Sequence, residues 1–559
     1  MPLKNILNKL FSYNTDSRYN YELSQTQISN NITESEIKKN ISSSISENLD
    51  FLTVKYNLLI NSDIKIRKFI LTARGKQYQG SLIYIDGMVD SAQINHFVLN
   101  PLMLENLSNT DSNPKTVIIN KNSQLKYHTT QNPKLEDLIF NSLIPQNTIV
   151  KETKFSSIIE KINNGFTCLL IDTLDVAFCI EAKGFKSREI SNPENEVVVR
   201  GSQEAFVENI RTNTSILRRI INNENLIIEQ TSVGKITRTP VAICYMKNIT
   251  NNDLVNEVRF RINNLEIDSL INDGPLEQLI QDRSSDFYPQ LFATERSDRA
   301  CNNLLEGRVV ILVNGSPYAL IAPAIFVDFI TSPEDMNLKY QFGNMVRIIR
   351  CLAFFIAMLL PSVYVAITNF HQELLPTDLV FAISSMRRSI PFPIIFEILI
   401  MEVSFELIRE ASLRVPSPIG STIGIIGGLV LGEAAVSANL VSPLLIIIVA
   451  ITGICSYAIP DFSLNFTIRI FRFFYIILGF IAGFLGIAVG IFIQVILVSS
   501  LQSFGVSFLS PYIPSDNKNG DSTFFIKPIF KREKRSNFLN TKKTNQENKI
   551  SMKWKSRKI

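Results

Sequence analysis

The chain has 559 residues, more than one compact core accommodates, so its length predicts roughly two to four domains. Its formal net charge of +5 is uneven, because twelve Lys or Arg and two Glu after residue 526 contribute +10 and leave −5 for the rest. The sequence contains no Walker loop, GxGxxG, HExxH, GxSxG or zinc-ligand spacing, and its three histidines are far apart. It therefore predicts neither an enzyme nor a cofactor or metal site.

The first 340 residues predict a cytosolic α/β region in two subdomains. Residues 1–50 are rich in Asn, Ser, Thr and Lys, have no apolar run long enough for a signal peptide, and are expected to be loosely ordered. Subdomain 1, residues 51–150, has strand patterns at Ile64–Leu71 and Leu82–Ile85 and helical spacing over Ile94–Leu104. Six scattered cysteines without a CxxC pair indicate reduced thiols.

Subdomain 2, residues 151–340, begins with a predicted hairpin around residues 172–175, followed by a long amphipathic helix from Ser202 to Asn222. Strand patterns follow at Ile236–Tyr245 and Val309–Val313. Several charges lie on or just before the predicted helix. A solvated face is the default interpretation of these charges, and assembly with other subunits is the alternative. The assembly candidates are Arg200, Glu204, Glu208 and Arg211.

Residues 341–510 predict a helical membrane domain with four to six segments, because Met345 to Ser503 contains no lysine and its sixteen charges lie mostly between apolar runs. Ile348–Ile367 and Leu444–Ile459 predict spans. Ile468–Leu501 is too long for one untilted crossing and predicts one tilted helix or two segments meeting near Gly486–Gly490. The basic tail, residues 511–559, is expected in the cytosol, which makes the number of crossings even. It favours contact with anionic headgroups over nucleic acid.

The stretch Phe392–Arg414 carries charges within about a third of a helical circumference. One interpretation is a helix stabilised by its own Glu–Arg pairs at i,i+3 and i,i+4. The other is a ring of acids that attracts cations to a pore vestibule once subunits assemble. The vestibule candidates are Glu402, Glu406 and Glu410.

The stretch Ile419–Val441 is almost entirely Gly, Ala, Ser and aliphatic residues, which lets helices approach closely or line a narrow passage. Glu433 lies inside it, and an unpaired carboxylate in lipid costs roughly 2.5 kcal/mol or more. We expect Glu433 either to face an ion or a gate, or to be a hydrogen-bonded or protonated structural group. The pore and gating candidates are Glu433, Gly428, Gly432, Ser437 and Asn439.

Several longer stretches together resemble one known family over about four fifths of the chain, in the family's order. They are NLLINSDIKIRKF at Asn57–Phe69, LIYIDGMVD at Leu82–Asp90, VVVRGSQEAFVENIRTNTSILRR at Val197–Arg219, the long segment Ala293–Met336 that begins ATERSDRACNN, LRVPSPIG at Leu413–Gly420 and GLVLGEAAVSANLVSP at Gly428–Pro443. The chain thereby resembles the A subunit of the GerA-type spore germination receptors. It departs from the family in having Ser297 where Pro is usual and Asn439 where Gly is common.

The resemblance implies a multi-pass subunit of the spore inner membrane, with its N-terminal domains and tail in the cytosol. It implies assembly with a transporter-like B subunit, which carries the nutrient pocket, and a lipoprotein C subunit. It further implies that copies of the chain oligomerise and form an ion-conducting channel that triggers germination. The alternative is a non-conducting membrane scaffold that recruits partners through its cytosolic domains. Glu433 favours the channel, because a scaffold has no need of a costly acid inside the membrane.

Overall fold

The computed structural model describes residues 21–24, 40–73, 76–103, 134–184, 193, 196–414, 430, 432–513 and 524–546. The prediction of a loosely ordered N-terminus falls largely on residues 1–20 and 25–39, which lie outside this range. Within it, the chain is helical from Ile45 to Tyr56. The N-terminal half is an α/β structure and the C-terminal half is helical, as the sequence predicts.

The first part of the α/β region is an antiparallel sheet with helices on both faces. Its elements are α1 (Ile45–Tyr56), β1 (Ile64–Ala73), β2 (Lys76–Ile85), β3 (Ile149–Glu152), α2 (Phe155–Asn163), β4 (Phe166–Ile171) and β5 (Ala177–Glu181), with helical turns at Ser91–Ile94, Asn95–Leu99, Asn100–Met103, Leu135–Leu138 and Ile139–Leu143. The strand order is β1-β2-β4-β5-β3. The β4–β5 hairpin thus belongs to this first sheet rather than to subdomain 2, and the chain leaves the sheet after Glu181 rather than near residue 150.

The second part repeats the same topology. Its elements are α3 (Ile210–Ile220), β6 (Leu226–Val233), β7 (Thr239–Met246), α4 (Asn252–Asn263), α5 (Asp273–Ile280), β8 (Phe292–Thr294), α6 (Ser297–Glu306), β9 (Val309–Val313), β10 (Ala319–Ala322), α7 (Phe326–Ile330) and α8 (Glu334–Asn337). The order β6-β7-β9-β10-β8 matches that of the first sheet strand for strand. We refer to the two sheets with their helices as the first and second domains.

The observed helix α3 is shorter than the predicted helix Ser202–Asn222, because it begins only at Ile210. The side chain of Asn209 accepts hydrogen bonds from the backbone of the first turn and so caps the helix. Upstream, the chain is extended, and Ala205 forms an isolated bridge with Arg296 on the second domain. Three of the assembly candidates, Arg200, Glu204 and Glu208, therefore lie outside the helix, and Arg211 lies in its first turn.

The C-terminal half is a bundle of helices. They are α9 (Tyr340–Phe370), α10 (Thr377–Arg387), α11 (Ile394–Arg414), α12 (Pro443–Tyr457) and α13 (Phe462–Ser500), with a 3-10 turn at Gln372–Leu374, a small hairpin of β11 (Gln502–Ser503) and β12 (Val506–Ser507), and 3-10 turns at Ile529–Lys531 and Asn537–Leu539. Within the described ranges, α9 and α13 are long and apolar enough to cross a membrane, and α12 is a shorter apolar helix.

Helix α13 folds back on itself. Ala482 and Gly483 have non-helical backbone angles, with φ +59° at Gly483. The hydroxyl of Tyr475 donates to Oε1 of Gln494, 19 residues further along. In a straight helix these residues would be about 28 Å apart. The second predicted alternative therefore applies: two antiparallel segments meet, at 482–483 rather than near Gly486.

The ends of the bundle are fixed by contacts along α11 and α12. At the end remote from the second domain, the backbone N–H of Ser442 donates to Glu397, at 3.3 Å. At the opposite end, Arg409 donates to Ser456 at 2.6 Å, and Asn465 donates to the carbonyl of Ser456 at 3.0 Å. Helices α11 and α12 therefore run in the same direction, toward the second domain, and Arg409 and Ser442 lie at opposite ends of the bundle.

Candidate functional site

A buried ion pair joins α11 to the first segment of α13. Nη1 of Arg472 lies 2.8 Å from Oε2 of Glu402, and the two side chains are 1% and 0% exposed. Nε of Arg472 also donates to the carbonyl of Ala357 on α9, at 2.7 Å. The pair therefore connects three helices. Within the described part of the chain, Glu402 Oε1 and Arg472 Nη2 are buried without a hydrogen-bond partner.

A second acid on α11 extends this cluster toward the second domain. Oε2 of Glu406 lies 3.3 Å from Arg469, and Oε1 lies 3.5 Å from Arg409. The guanidinium of Arg409 stacks on the ring of Tyr457, 4.8 Å from its centroid. Three arginines and two glutamates thus meet inside the bundle, where desolvation makes each contact depend closely on geometry.

These contacts bear on the vestibule candidates. The predicted i,i+3 pair of Glu406 with Arg409 is present, and Glu410 is exposed. Glu402 instead pairs inside the chain with an arginine 70 residues away, which local spacing does not indicate. A role for Glu402 in a vestibule stays a prediction, and it requires this pair to open.

Three of the five pore candidates, Gly432, Glu433 and Ser437, lie on a short helical stretch, residues 432–437, beside the start of α12. Glu433 and Ser437 are exposed, whereas Gly432 is buried, and a Cβ added there would be in van der Waals contact with Ile446. Gly428 lies outside the described residues. The Glu433 side chain therefore lies on an outer face of the chain.

Asn439 ends this stretch with a left-handed backbone, φ +54°. Glycine adopts this conformation without strain, and Asn tolerates it better than most residues. The common glycine of the family and the asparagine here thus meet the same backbone requirement. The Asn439 carboxamide also accepts a hydrogen bond from Ser389, at 3.1 Å.

The assembly candidates make contacts within the chain. Arg211 forms an ion pair with Asp86 of the first domain, and Glu204 pairs with Arg219 at the end of α3. Arg200, Glu208 and Arg211 are exposed, and Glu204 is partly buried. Assembly through these residues stays a prediction, and at least two of them also hold the chain's own segments together.

Sequence reasoning missed the main joint between the two domains. Arg218, 2% exposed, donates to Asp63 at 2.7 Å and to Asn61 at 2.9 Å, across the start of β1. Asn61 in turn accepts a hydrogen bond from the backbone of Ile228. The i,i+7 spacing of Arg211 and Arg218 places both on the helix face toward the first domain. This spacing is the feature of the sequence from which the contact between the domains could have been predicted.

The second domain and the bundle share one hydrophobic core. Thr467 donates to the carbonyl of Phe287 at 2.5 Å, and Gln494 donates to the hydroxyl of Tyr288 at 2.5 Å. Burial raises the pKa of Tyr288 to about 12. The β11–β12 hairpin adds a further contact, because Phe504 lies against the guanidinium of Arg261, 4.2 Å from it.

Two acids with raised pKa values lie near this junction. Burial raises the pKa of Glu277 on α5 to about 7, and the nearby charges of Asp273 and Asp461 add to the effect. Burial also raises the pKa of Asp461, which caps the start of α13, to about 6. Ionisation of both groups places two negative charges close together where the domain meets the bundle.

The fold and these contacts define a two-domain α/β region packed on a helical bundle with apolar helices. The sequence matches the family described as Bacillus/Clostridium GerA spore germination protein over residues 52–538. The chain belongs to this family, which confirms the resemblance.

Individual relatives cover most of the chain. Spore germination protein KA of Bacillus subtilis (strain 168) is 36% identical over 89% of this chain and 86% of its own length. The uncharacterized membrane protein YfkQ of the same organism is 35% identical over 85% of this chain and 87% of its own length. The crystal structure of the N-terminal domain of the A subunit of the Bacillus megaterium spore germinant receptor GerK3 aligns with a TM-score of 0.39 and 28% identity, over 52% of this chain and 98% of that chain.

Proposed function

We propose that this chain is the membrane subunit of a spore nutrient germinant receptor. In this proposal it assembles with a transporter-like B subunit and a lipoprotein C subunit in the spore inner membrane. Copies of the chain oligomerise so that the exposed Glu433 face lines an ion-conducting passage. Family membership supports the receptor role, and one relative carries the name of a membrane protein.

The proposed topology has six crossings. They are α9, α11, the chain between residues 409 and 442, α12 and the two segments of α13. The directions of α11 and α12 and the reversal at Gly483 support this number. It leaves the two domains and residues 524–546 on the same side, which we propose to be the cytosol.

The observation that carries the channel proposal is the position of Glu433. It is an exposed acid on a helical stretch of small residues, within a bundle whose outer surface is otherwise largely apolar. A carboxylate facing lipid is costly, whereas one facing a water-filled passage between subunits is solvated and attracts cations. The Glu402 carboxylate, by contrast, is buried and paired with Arg472 of the same chain.

Reconstitution of the purified full chain into liposomes tests the proposal. After the oligomeric state is verified by cross-linking, we expect the wild type to leak cations and Glu433→Ala to leak less. Glu373→Ala, which removes an exposed acid from a loop of the bundle, is the matched control. A verified oligomer that does not leak would support the scaffold instead, and an equal leak from Glu433→Ala would remove Glu433 from the passage.

A further inference from the structure

Residues 524–546, here called the C-terminal strap, fold back onto the second domain and enclose a pocket. Ile526 and Asn344 exchange two hydrogen bonds, of 2.7 and 3.1 Å, at the start of α9. Further along the strap, Arg535 donates to the carbonyl of Leu305 on α6, at 2.8 Å. A cavity of about 470 Å³ lies between the strap, α6 and α7. This volume is in the range of small-molecule sites.

The pocket has a marked excess of positive charge. Seven cations and three acids line it. Arg308 forms an ion pair with Asp328, and Arg347 forms one with Asp335. The other five come from the strap, and Glu306 and Glu533 are the remaining acids of the lining. These strap cations are Lys527, Lys531, Arg532, Lys534 and Arg535.

Individual groups in the pocket are incompletely compensated. Arg308 is 3% exposed in its side chain, and within the described residues its Nε has no hydrogen-bond partner. A carboxylate oxygen of Glu306 lies 3.9 Å from this atom, which is beyond hydrogen-bond distance. Burial lowers the pKa of both Arg532 and Arg535, with only the charge of Glu306 opposing it. An anion in the pocket would offset these buried charges.

An apolar cleft of about 360 Å³ adjoins the basic pocket, and the two share Val327 and Phe525 in their linings. The cleft is otherwise bounded mainly by apolar side chains, among them Ile330 and Leu509. Cys351, which also lines it, lies one helical turn beyond Arg347 on α9. The basic pocket is therefore at the start of α9, and the cleft is displaced along the helix into the bundle.

We propose that pocket and cleft together bind one anionic phospholipid, with its phosphate in the pocket and an acyl chain in the cleft. The inference rests on the proposed function in one respect, namely that α9 enters the membrane. A soluble phosphate compound matches the pocket in charge but leaves the adjoining cleft unused. Basic pockets at the cytosolic ends of membrane helices are suited to anionic headgroups. The bound lipid fixes the strap against α9 and the second domain.

Lipid binding to the full chain in uncharged detergent, followed by native mass spectrometry, tests the proposal. Dioleoyl phosphatidylglycerol is expected to bind saturably, dioleoyl phosphatidylcholine to bind much more weakly, and pyrophosphate not to compete. Lys531→Gln with Arg532→Gln should weaken binding about 30-fold, at about 1 kcal/mol per basic residue. The control, Lys235→Gln with Lys543→Gln, removes the same charge outside the pocket and should have no effect.

Three outcomes would overturn the proposal: equal binding of the two lipids, equal affinities of the pocket and control variants, or competition by pyrophosphate. The last would assign the pocket to a soluble anion. Because Lys531 is exposed, Lys531→Gln alone, with an expected loss of about fivefold, separates lost binding from misfolding. Cys351→Trp should weaken binding by filling the cleft. Binding in detergent does not depend on ion flux, so a chain that binds phosphatidylglycerol without leaking refutes the channel alone.

Discussion

The pair of Glu402 and Arg472 gives the sharpest test of how the bundle is held together. In Glu402→Gln the Arg472 guanidinium stays 1% exposed and keeps its hydrogen bond to Ala357, but it loses its carboxylate. Removal of one partner of a buried ion pair costs roughly 3–5 kcal/mol. Replacement of both by apolar residues of similar volume is often close to neutral. We therefore expect Glu402→Gln to be strongly destabilising and Glu402→Met with Arg472→Met to recover most of the loss.

Thermal unfolding of the full chain in detergent measures the effect. For a bundle of this size, the Tm falls by about 2–4 °C for each kcal/mol of stability lost, so Glu402→Gln should lower the Tm by roughly 6–20 °C. Glu373→Gln makes the same change at an exposed site and should shift the Tm by less than about 2 °C. The reasoning is refuted if the two single variants unfold at the same temperature, or if the double Met variant is less stable than Glu402→Gln.

Two further predictions concern the turn of α13 and the junction with the second domain. Gly483→Ala should lower the free energy of unfolding by about 1–3 kcal/mol, because φ is +59° and a Cβ would lie 2.8 Å from His371. Gly274→Ala, with open space around it, is the control and should be tolerated. Equal melting temperatures of the two variants would contradict this prediction. The raised pKa of Glu277, about 7 against an ordinary 4.5, means that its contribution to stability is present below pH 4.5 and is lost as the pH rises to about 7. Glu277→Gln should flatten the Tm–pH profile in this window, and the same change at the exposed Glu266 should not. An unchanged profile in Glu277→Gln would show that Glu277 is not the source of this pH dependence.

Elements with a strong local pattern were predictable from the sequence. The apolar run of β9 and its following Asn314-Gly315 turn, and the strand Leu82–Ile85 ended by Asp86-Gly87, occur where the pattern indicates. Membership of a sheet was not predictable in the same way. The β4–β5 hairpin pairs with β2 through contacts about 90 residues apart in sequence, so local periodicity carries no information about which domain holds it.

The candidate site shows the same limit. Glu402 and Glu406 were identified from their helical spacing, and the Glu406–Arg409 pair follows from i,i+3 geometry. The partners Arg469 and Arg472 lie on another helix, 63 and 70 residues away, and only the packed bundle brings them together. The role of Asn439 likewise depends on its φ of +54°, which no side-chain pattern encodes.

Both segments of α13 are connected to the second domain. Its first segment is held at Thr467 by the carbonyl of Phe287, and its end at Ser500 by Arg283, at 3.1 Å. Both partners lie on one loop of the second domain, so a displacement of that loop acts on both segments at once. Because Arg472 links the first segment to α11, the displacement also reaches the helix that carries the acids. Since a packed core shifts between discrete arrangements rather than deforming freely, a signal that moves the second domain must break or exchange these contacts.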